Sequence, residues 1–185
     1  MTENFSDYYI RIMKILYSIF ISFSLLACSQ NYQPIKSSDM TNNTSKNNPY
    51  FSRTDTTKVN ISEEEWKKHL DPELYYIARQ QGTERPHTGK YNDFDEKGTY
   101  YCAACGNHLF KSTQKFASTC GWPSFFEADK NGVEYKRDSS HGMERIEVVC
   151  KRCSSHLGHV FNDGPPPTGT RYCMNSISLD FVPDN

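Results

Sequence analysis

The pattern of apolar and polar positions divides the chain into three parts. Residues 15–27, ILYSIFISFSLLA, form one continuous apolar run near the N-terminus. Residues 29–59 are rich in Asn, Ser and Thr and contain few large apolar side chains. From residue 60 onwards, apolar residues recur at the spacings of short helices and strands, so this part is expected to fold.

Two short helices are expected where the folded part begins. Ser62 is a good N-cap, and Glu65 stands three positions later, as in a capping box. Asp71 followed by Pro72 predicts the start of a second helix, because proline is favoured at the first helical position.

Short β-prone runs follow Gly82 and are separated by Gly, Pro, Asn and Asp at intervals of about 8–12 residues. These runs are TYYC, HLF, RIEVVC, HVF and SISLDFV, and two of them show partial period-2 alternation. We therefore predict a mainly antiparallel β domain with one or two short helices at its N-terminal edge.

The N-terminal apolar run is too short for a comfortable membrane span and suits a signal peptide, with Arg11 and Lys14 before it. It ends at Ala27-Cys28, which resembles the lipobox of bacterial lipoproteins, where the cysteine carries the lipid. An uncleaved anchor with an incidental cysteine is the alternative, and Met13 is an alternative start.

Three segments follow from these patterns. We expect a signal peptide over residues 1–28, a flexible tether over residues 29–59 and one folded domain over residues 60–185. A lipid on Cys28 would attach the protein to a membrane of the cell envelope, facing the periplasm or the outside. Ser29 after the cysteine favours the outer membrane.

Composition narrows the class of protein. An apolar content of 36% in 185 residues is enough for one compact core but not for two. The net charge is −1 and the chain has no long basic run, which disfavours a non-specific nucleic-acid binder.

Four cysteines form two C-x-x-C pairs, Cys102/Cys105 and Cys150/Cys153, separated by 44 residues. Two such pairs beside strands predict one tetrahedral Zn²⁺ site. Redox-active C-x-x-C motifs are an alternative that fits poorly, because neither pair precedes a helix in a βαβ pattern. Two structural disulfides are a further alternative in an oxidising compartment. Four thiolates leave no open coordination position, so the metal is expected to be structural.

Cys120 and Cys173 are the two cysteines that are assigned neither to the predicted zinc site nor to lipid attachment. Cys120 lies in STCGWPSFF, where Gly and Pro favour a turn. Trp122 and Phe125 offer large flat surfaces beside it, so both are candidates for substrate contact.

Cys173 lies in a stretch that also offers a cation and an amide. In an extended chain, Arg171 and Asn175 point to the same side as Cys173. His156 and His159 stand shortly before this stretch. Cysteine with Arg, His and Asn is the combination that a thiolate nucleophile with a proton donor requires.

Other interpretations of these residues stay open on spacing alone. Cys120 and Cys173 could form a permanent disulfide, His159 and Trp122 could belong to the core, and HLGH could be half of a second metal site. At the level of the whole protein, the alternatives are a zinc-ribbon binding module and an exported thiol–disulfide oxidoreductase.

The longer motifs GWPSF, SHGMERIEVVC and HLGHVFNDGPPPTGTRYCMNS, together with the two C-x-x-C pairs, resemble the methionine sulfoxide reductase B family over residues 61–183. The resemblance implies two antiparallel sheets clamped by one zinc ion. It also implies reduction of the R epimer of methionine sulfoxide in oxidised proteins, with a thioredoxin-like reductant. We expect a monomeric domain that binds no nucleic acid.

The resemblance also assigns roles to residues. Cys173 matches the family nucleophile and Cys120 the resolving cysteine, which would form a transient disulfide. The other matching active-site positions are Trp122, His156, His159, Arg171 and Asn175. We expect Arg171 and a protonated histidine to lower the pKa of Cys173, His159 to act as the acid, and the Trp122 face to hold the substrate methyl group.

Overall fold

The structure is a computed structural model and describes residues 48–184. The expected signal peptide, Cys28 and residues 29–47 of the expected tether lie outside the described residues. Within the described part, no helix combines the length and the hydropathy that a bilayer crossing requires.

Within residues 48–184, two helices precede the sheets, α1 over Glu63–His69 and α2 over Pro72–Gln80. The Ser62 hydroxyl accepts a hydrogen bond from the Glu65 N–H at 3.3 Å and caps α1 as expected. The Glu65 carboxylate instead binds Lys68 and His69, so only half of the capping box forms. Pro72 occupies the first turn of α2.

In the part of the chain that the structure describes, nine strands form two antiparallel sheets, as predicted for this mainly β fold. A three-stranded sheet has the order β2-β1-β9, and a six-stranded sheet has the order β3-β4-β8-β7-β6-β5. The strands are β1 Gly98–Cys102, β2 His108–Lys111, β3 Lys115–Phe116, β4 Ser124–Phe125, β5 Val133–Asp138, β6 Arg145–Cys150, β7 His156–Phe161, β8 Arg171–Met174 and β9 Leu179–Pro183.

The last predicted strand, SISLDFV, is shorter in the structure. Its first three residues, Ser176–Ser178, form a 3₁₀ turn, and β9 begins at Leu179. The reason is a long-range contact, because the Glu84 carboxylate accepts hydrogen bonds from the N–H groups of Ser176 and Ile177. Two adjacent N–H groups that point to one acceptor are incompatible with the alternation of a strand.

Aromatic side chains join the two sheets in the core. Phe110 of β2 and Phe125 of β4 stack with their ring centroids 4.2 Å apart, and Tyr100 of β1 meets Phe125 edge-on at 5.1 Å. Phe125 is fully buried. It therefore presents no surface to a substrate, and the expectation that it contacts substrate is corrected to a packing role.

Residues 48–59 lie against the domain, although their composition predicted a tether. The Asn48 amide donates to the Ala104 carbonyl at 2.8 Å, and the Ser52 N–H donates to the Cys105 carbonyl at 2.9 Å. The tether therefore does not extend over these residues. Composition could not predict this packing, because the polar groups of the segment form hydrogen bonds with residues that are distant in sequence.

Arg152 binds the same segment from the other side. This buried guanidinium donates to the carbonyl oxygens of Tyr50 at 3.0 Å and Thr57 at 3.1 Å. It also pairs with the Asp55 carboxylate at 3.0 Å. A buried arginine needs such acceptors, so residues 48–59 complete the fold around it.

Candidate active site and metal centre

Four buried thiols meet where β1 and β6 end. Cys102 and Cys150 are the last residues of these strands, and the turns after them supply Cys105 and Cys153. All four sulfur atoms lie within 4.8 Å of one another, with separations of 3.7 Å for Cys102–Cys153 and 3.6 Å for Cys105–Cys150. Tetrahedral coordination with bonds of about 2.3 Å requires sulfurs about 3.8 Å apart. The set therefore fits a metal ion.

Tight turns present these thiols. The N–H of Gly106 donates a hydrogen bond to the Cys102 carbonyl at 2.7 Å, and the N–H of Ser154 donates one to the Cys150 carbonyl at 2.8 Å. Both residues have positive φ, +80° at Gly106 and +59° at Ser154. Glycine adopts this conformation without a steric cost, which explains its position in the first turn.

Cys173 and Cys120 form a second thiol pair outside the metal site. Cys173 lies in β8 between His159 of β7 and Ser124 of β4. Its sulfur is 3.5 Å from that of Cys120, and both residues are partly buried. A disulfide needs about 2.05 Å between sulfurs, so a small movement would join them.

The two thiols differ in acidity. Burial and, after it, the adjacent Cys120 sulfur raise the pKa of Cys173 to about 12, against the opposing effect of Arg171. Burial also raises the pKa of Cys120, but hydrogen bonds with Ser118 and Ser124 outweigh this effect and lower it to about 7. The expectation that Cys173 is the low-pKa thiol is therefore wrong for the reduced pair. A charge on one sulfur disfavours a charge on its neighbour.

His159 lies opposite Cys173 and binds a carboxylate. Its Nε2 is 2.8 Å from Asp138 Oδ2, and Arg145 donates to the same oxygen at 2.7 Å. Burial lowers the pKa of His159, and Arg145 adds to this effect while Asp138 opposes it. At neutral pH this histidine is therefore mostly neutral in the resting protein.

His156 is held by a second carboxylate. Its Nδ1 lies 2.7 Å from Glu147 Oε1, which also accepts a hydrogen bond from the Gln81 amide at 3.1 Å. His156 Nε2 is buried and has no hydrogen-bond partner among the described residues. The imidazole rings of His156 and His159 are 5.4 Å apart.

A β-bulge brings the two histidines to one face of the sheet. Residues three apart on a regular strand point to opposite faces. In β7, however, His159 pairs with Glu147 and His156 with Val149, because the register shifts by one residue between Val148 and Val149. Leu157 is the extra residue of this bulge, and an added Cβ on the neighbouring Gly158 would be 2.0 Å from the Cys173 carbonyl oxygen.

A cavity of about 110 Å³ opens beside Cys173. It is lined by Thr83, Trp122, Arg145, Gly158, His159, Phe161, Cys173, Met174 and Asn175. The structure thus brings most of the expected active-site residues to one place. His156 lies behind His159 and does not line the cavity.

Arg171 lies at the edge of this place rather than in the cavity lining. Its guanidinium forms two hydrogen bonds with Asp163, at 2.9 and 2.8 Å. It also covers the Phe161 ring at 4.5 Å. The carboxylate of Asp163 raises the pKa of Arg171, which stays charged near Cys173.

Glu84 fixes two of the cavity residues and was missed by sequence reasoning. Its backbone carbonyl accepts the indole N–H of Trp122 at 3.2 Å, and its N–H donates to the Asn175 amide oxygen at 3.0 Å. The Asn175 NH₂ group donates to the Leu157 carbonyl at 3.1 Å. Both ends of this amide are therefore bound to backbone, which orients the side chain.

Asp138, Arg145 and Glu147 were missed as well. Arg145 and Glu147 lie in RIEVVC, which the sequence indicated only as a strand, and Asp138 is the last residue of β5. Period-2 alternation could have identified Arg145 and Glu147, because it places them on one face of β6. This is the face on which the histidines of the neighbouring strand β7 lie.

The fold and the site define a metal-binding β protein with a close thiol pair beside a small cavity lined by histidine and tryptophan. Residues 70–183 match the SelR domain family. The chain is 58% identical to the peptide methionine sulfoxide reductase MsrB of Leptospira interrogans over 125 residues, which cover 67% of this chain and 95% of that protein.

Other relatives give the same result. The MsrB of Methanosarcina barkeri is 60% identical, with 66% of this chain and 87% of that protein covered. The MsrB of Pseudomonas savastanoi is 56% identical, with 68% of this chain and 97% of that protein covered. The chain therefore belongs to the peptide methionine sulfoxide reductase MsrB family.

Proposed function

We propose that this protein reduces the R epimer of methionine sulfoxide in oxidised proteins. The observation that carries the proposal is the position of Cys173, which lines the cavity together with Trp122 and has its sulfur 3.5 Å from that of Cys120. Family membership supports reduction of methionine sulfoxide. Repair of oxidative damage to proteins follows from this activity.

Cys173 is the nucleophile of the first step. When the resting pair is ionised, its charge lies on Cys120, and transfer of a proton from Cys173 to Cys120 over 3.5 Å moves that charge to the nucleophile. The Cys173 thiolate attacks the sulfoxide, and the oxygen passes to Cys173. One proton is taken up, so the products are methionine and a sulfenic acid on Cys173.

His159 supplies the proton to the sulfoxide oxygen. Its position opposite Cys173 in the neighbouring strand supports this role. Because burial lowers its pKa, protonation of His159 accompanies substrate binding and is favoured by Asp138. His156, fixed by Glu147, and Asn175, fixed by Glu84, orient the acid and the oxygen.

Cys120 completes the chemistry. Its sulfur attacks the sulfenic sulfur of Cys173, water leaves, and a Cys120–Cys173 disulfide forms. An external dithiol of the thioredoxin type then reduces this disulfide. The indole face of Trp122 holds the apolar S-methyl group, and the different surroundings of methyl and oxygen select one epimer.

Zinc is the metal we propose for the four thiols, because thiolate tetrahedra favour it. With all four coordination positions taken by protein sulfur, the ion would join β1 to β6 and would activate no water. Cys102, Cys105, Cys150 and Cys153 would hold it.

Lipid attachment at Cys28 would place the domain on a membrane of the cell envelope, facing the periplasm or the outside, with the outer membrane favoured by Ser29. Membrane fractionation of cells that express the full chain, compared with Cys28→Ser, tests this location. Recovery of both proteins in the soluble fraction would contradict it.

One assay tests the activity. The protein is incubated with the R and S epimers of N-acetyl-methionine sulfoxide and dithiothreitol, and the N-acetyl-methionine product is measured. We expect turnover of the R epimer alone and none with Cys173→Ser. Reduction of both epimers would contradict the epimer assignment. Residual turnover by Cys173→Ser would show that Cys173 is not the nucleophile.

The close thiol pair also favours a second candidate, a thiol–disulfide oxidoreductase that acts on protein disulfides. Reduction of a disulfide-bonded protein without any reduction of sulfoxide would support this second activity instead.

A further inference from the structure

A groove of about 640 Å³ lies between α2 and residues 83–90, next to the reaction cavity. Thr83 lines both spaces. The groove also reaches Ser176 and Ile177, which directly follow Asn175 of the cavity. We call this space the flanking groove.

The reaction cavity is much smaller than the flanking groove, and this difference limits where the parts of a protein substrate can lie. The reaction cavity of about 110 Å³ is well below the roughly 300–1,000 Å³ of ordinary ligand sites. It has room for the end of one side chain. The backbone and neighbouring residues of a substrate polypeptide must then lie on the surface around the cavity mouth, where the flanking groove is the adjoining concave surface.

Tyr76 offers an aromatic contact in this groove. It is one of the few large apolar side chains that are strongly exposed, at 52%. Its ring lies against the bare Cα of Gly82, where an added Cβ would be only 2.3 Å from the ring. The Gly82 N–H also donates to the Tyr76 carbonyl at 3.1 Å. An exposed ring in a fixed position loses little freedom when a partner covers it.

We propose that the flanking groove binds the polypeptide segment next to the methionine sulfoxide, with an apolar residue of that segment on Tyr76. This inference rests on the proposed function, because it describes where the rest of that substrate lies. It separates recognition into two parts. The small cavity selects the sulfoxide, and the groove adds affinity for a polypeptide over a free amino acid.

The test compares two substrates, a peptide and a single methionine sulfoxide residue that is capped at both ends. Steady-state KM and kcat are measured for a methionine-R-sulfoxide peptide with apolar neighbours and for N-acetyl-methionine-R-sulfoxide methylamide, with dithiothreitol as reductant. Tyr76→Ala should raise KM for the peptide by about fivefold or more and leave kcat unchanged. The same variant should change KM for the methylamide by less than about twofold.

Two further variants sharpen the comparison. Tyr76→Phe is the matched control, because it keeps the ring, and it should behave as the unchanged protein does. Gly82→Ala displaces the ring without removing it, so it should also raise KM for the peptide alone. Tyr76 is exposed, so its variants are expected to fold, and circular dichroism confirms this.

Three results would overturn the proposal. The first is an unchanged peptide KM in Tyr76→Ala and Gly82→Ala. The second is an equal rise for the peptide and the methylamide, because Tyr76 would then act on the cavity. The third is found when thioredoxin replaces dithiothreitol in the same assay: a rise in KM for thioredoxin with no rise for the peptide would make the groove a reductant site.

Failure of the proposed function gives a different result. The unchanged protein would then reduce neither the methylamide nor the peptide, and the groove proposal would fall with it. Normal reduction of the methylamide with an insensitive peptide KM overturns the groove alone.

Discussion

Asp138 accepts a hydrogen bond from His159 Nε2 at 2.8 Å. Because a carboxylate only accepts hydrogen bonds, Nε2 must carry the proton in this arrangement. Ser140 and Arg145 also donate to Asp138 and hold its pKa well below the usual range. Asp138 therefore stays charged and favours the protonated form of His159, against burial and Arg145.

Asp138→Asn should move the alkaline limb of the pH–rate profile to lower pH. Loss of the carboxylate removes the group that raises the pKa of His159 and leaves Arg145, which lowers it. An acid with a lower pKa is deprotonated at a lower pH. A fall of one unit would reduce single-turnover reduction at neutral pH by about tenfold.

Rapid-quench measurement of single-turnover rates across pH checks this shift. Glu144→Gln is the matched control, because this exposed carboxylate lies in the loop between β5 and β6 and pairs with Arg137 of β5. An unmoved alkaline limb in Asp138→Asn would argue against His159 as the acid.

Cys120→Ser should stop the catalytic cycle after one round. Attack by Cys173 does not require the second thiol, but disulfide formation does. We expect about one methionine per chain in a burst, then a stall with thioredoxin, and rescue by small thiols. Continued cycling with thioredoxin would show that another group resolves the sulfenic acid.

Cys120→Ser and Cys173→Ser should shift the pKa of the thiol that remains in opposite directions. The Cys120 sulfur raises the pKa of Cys173, so Cys120→Ser should lower that pKa from about 12. The Cys173 sulfur lowers the pKa of Cys120, so Cys173→Ser should raise that pKa from about 7. The pH dependence of iodoacetamide alkylation measures each remaining thiol. Shifts of the same sign would contradict this electrostatic coupling.

Glu84→Gln should weaken both the fold and the site. The carboxylate accepts N–H groups from Ser176 at 2.6 Å and Ile177 at 3.0 Å, and glutamine offers only one oxygen for them. Leaving one buried N–H unpaired costs about 1–3 kcal/mol of unfolding free energy. Urea unfolding measures this loss. Glu73→Gln, in the same groove but exposed, is the control and should unfold at the urea concentration of the unchanged protein.

Cys102→Ser should lose the metal and melt at a lower temperature. Three thiolates bind zinc less well than four, and metal binding in such sites contributes directly to folding. Elemental analysis should find less than one zinc per chain, and the melting temperature should fall by about 10 °C or more. Full metal content with an unchanged melting curve would show that the four thiols are not a structural site.

The sequence was sufficient for features that depend on local spacing. The two C-x-x-C pairs predicted the four-thiol site, and Ser62 and Pro72 predicted the helix starts. Cys120 and Cys173 were identified as a separate pair, and the structure brings their sulfurs to 3.5 Å.

Features that depend on tertiary contacts could not be predicted in this way. The high pKa of Cys173 follows from burial and from the Cys120 sulfur. Spacing alone puts His156 and His159 on opposite faces, and only the bulge in β7 puts them on one. Glu84 carries no motif, and its importance comes from partners about 90 residues away in sequence.

The contacts of residues 48–59 define where a shortened form of this protein should begin. Similarity to the SelR family starts only at residue 70. A fragment cut there would lose the Tyr50 and Thr57 carbonyls and leave the buried guanidinium of Arg152, the neighbour of Cys153, without those acceptors. For laboratory production of the domain, the hydrogen bonds thus give a better starting point than the homology boundary, and that starting point is Asn48.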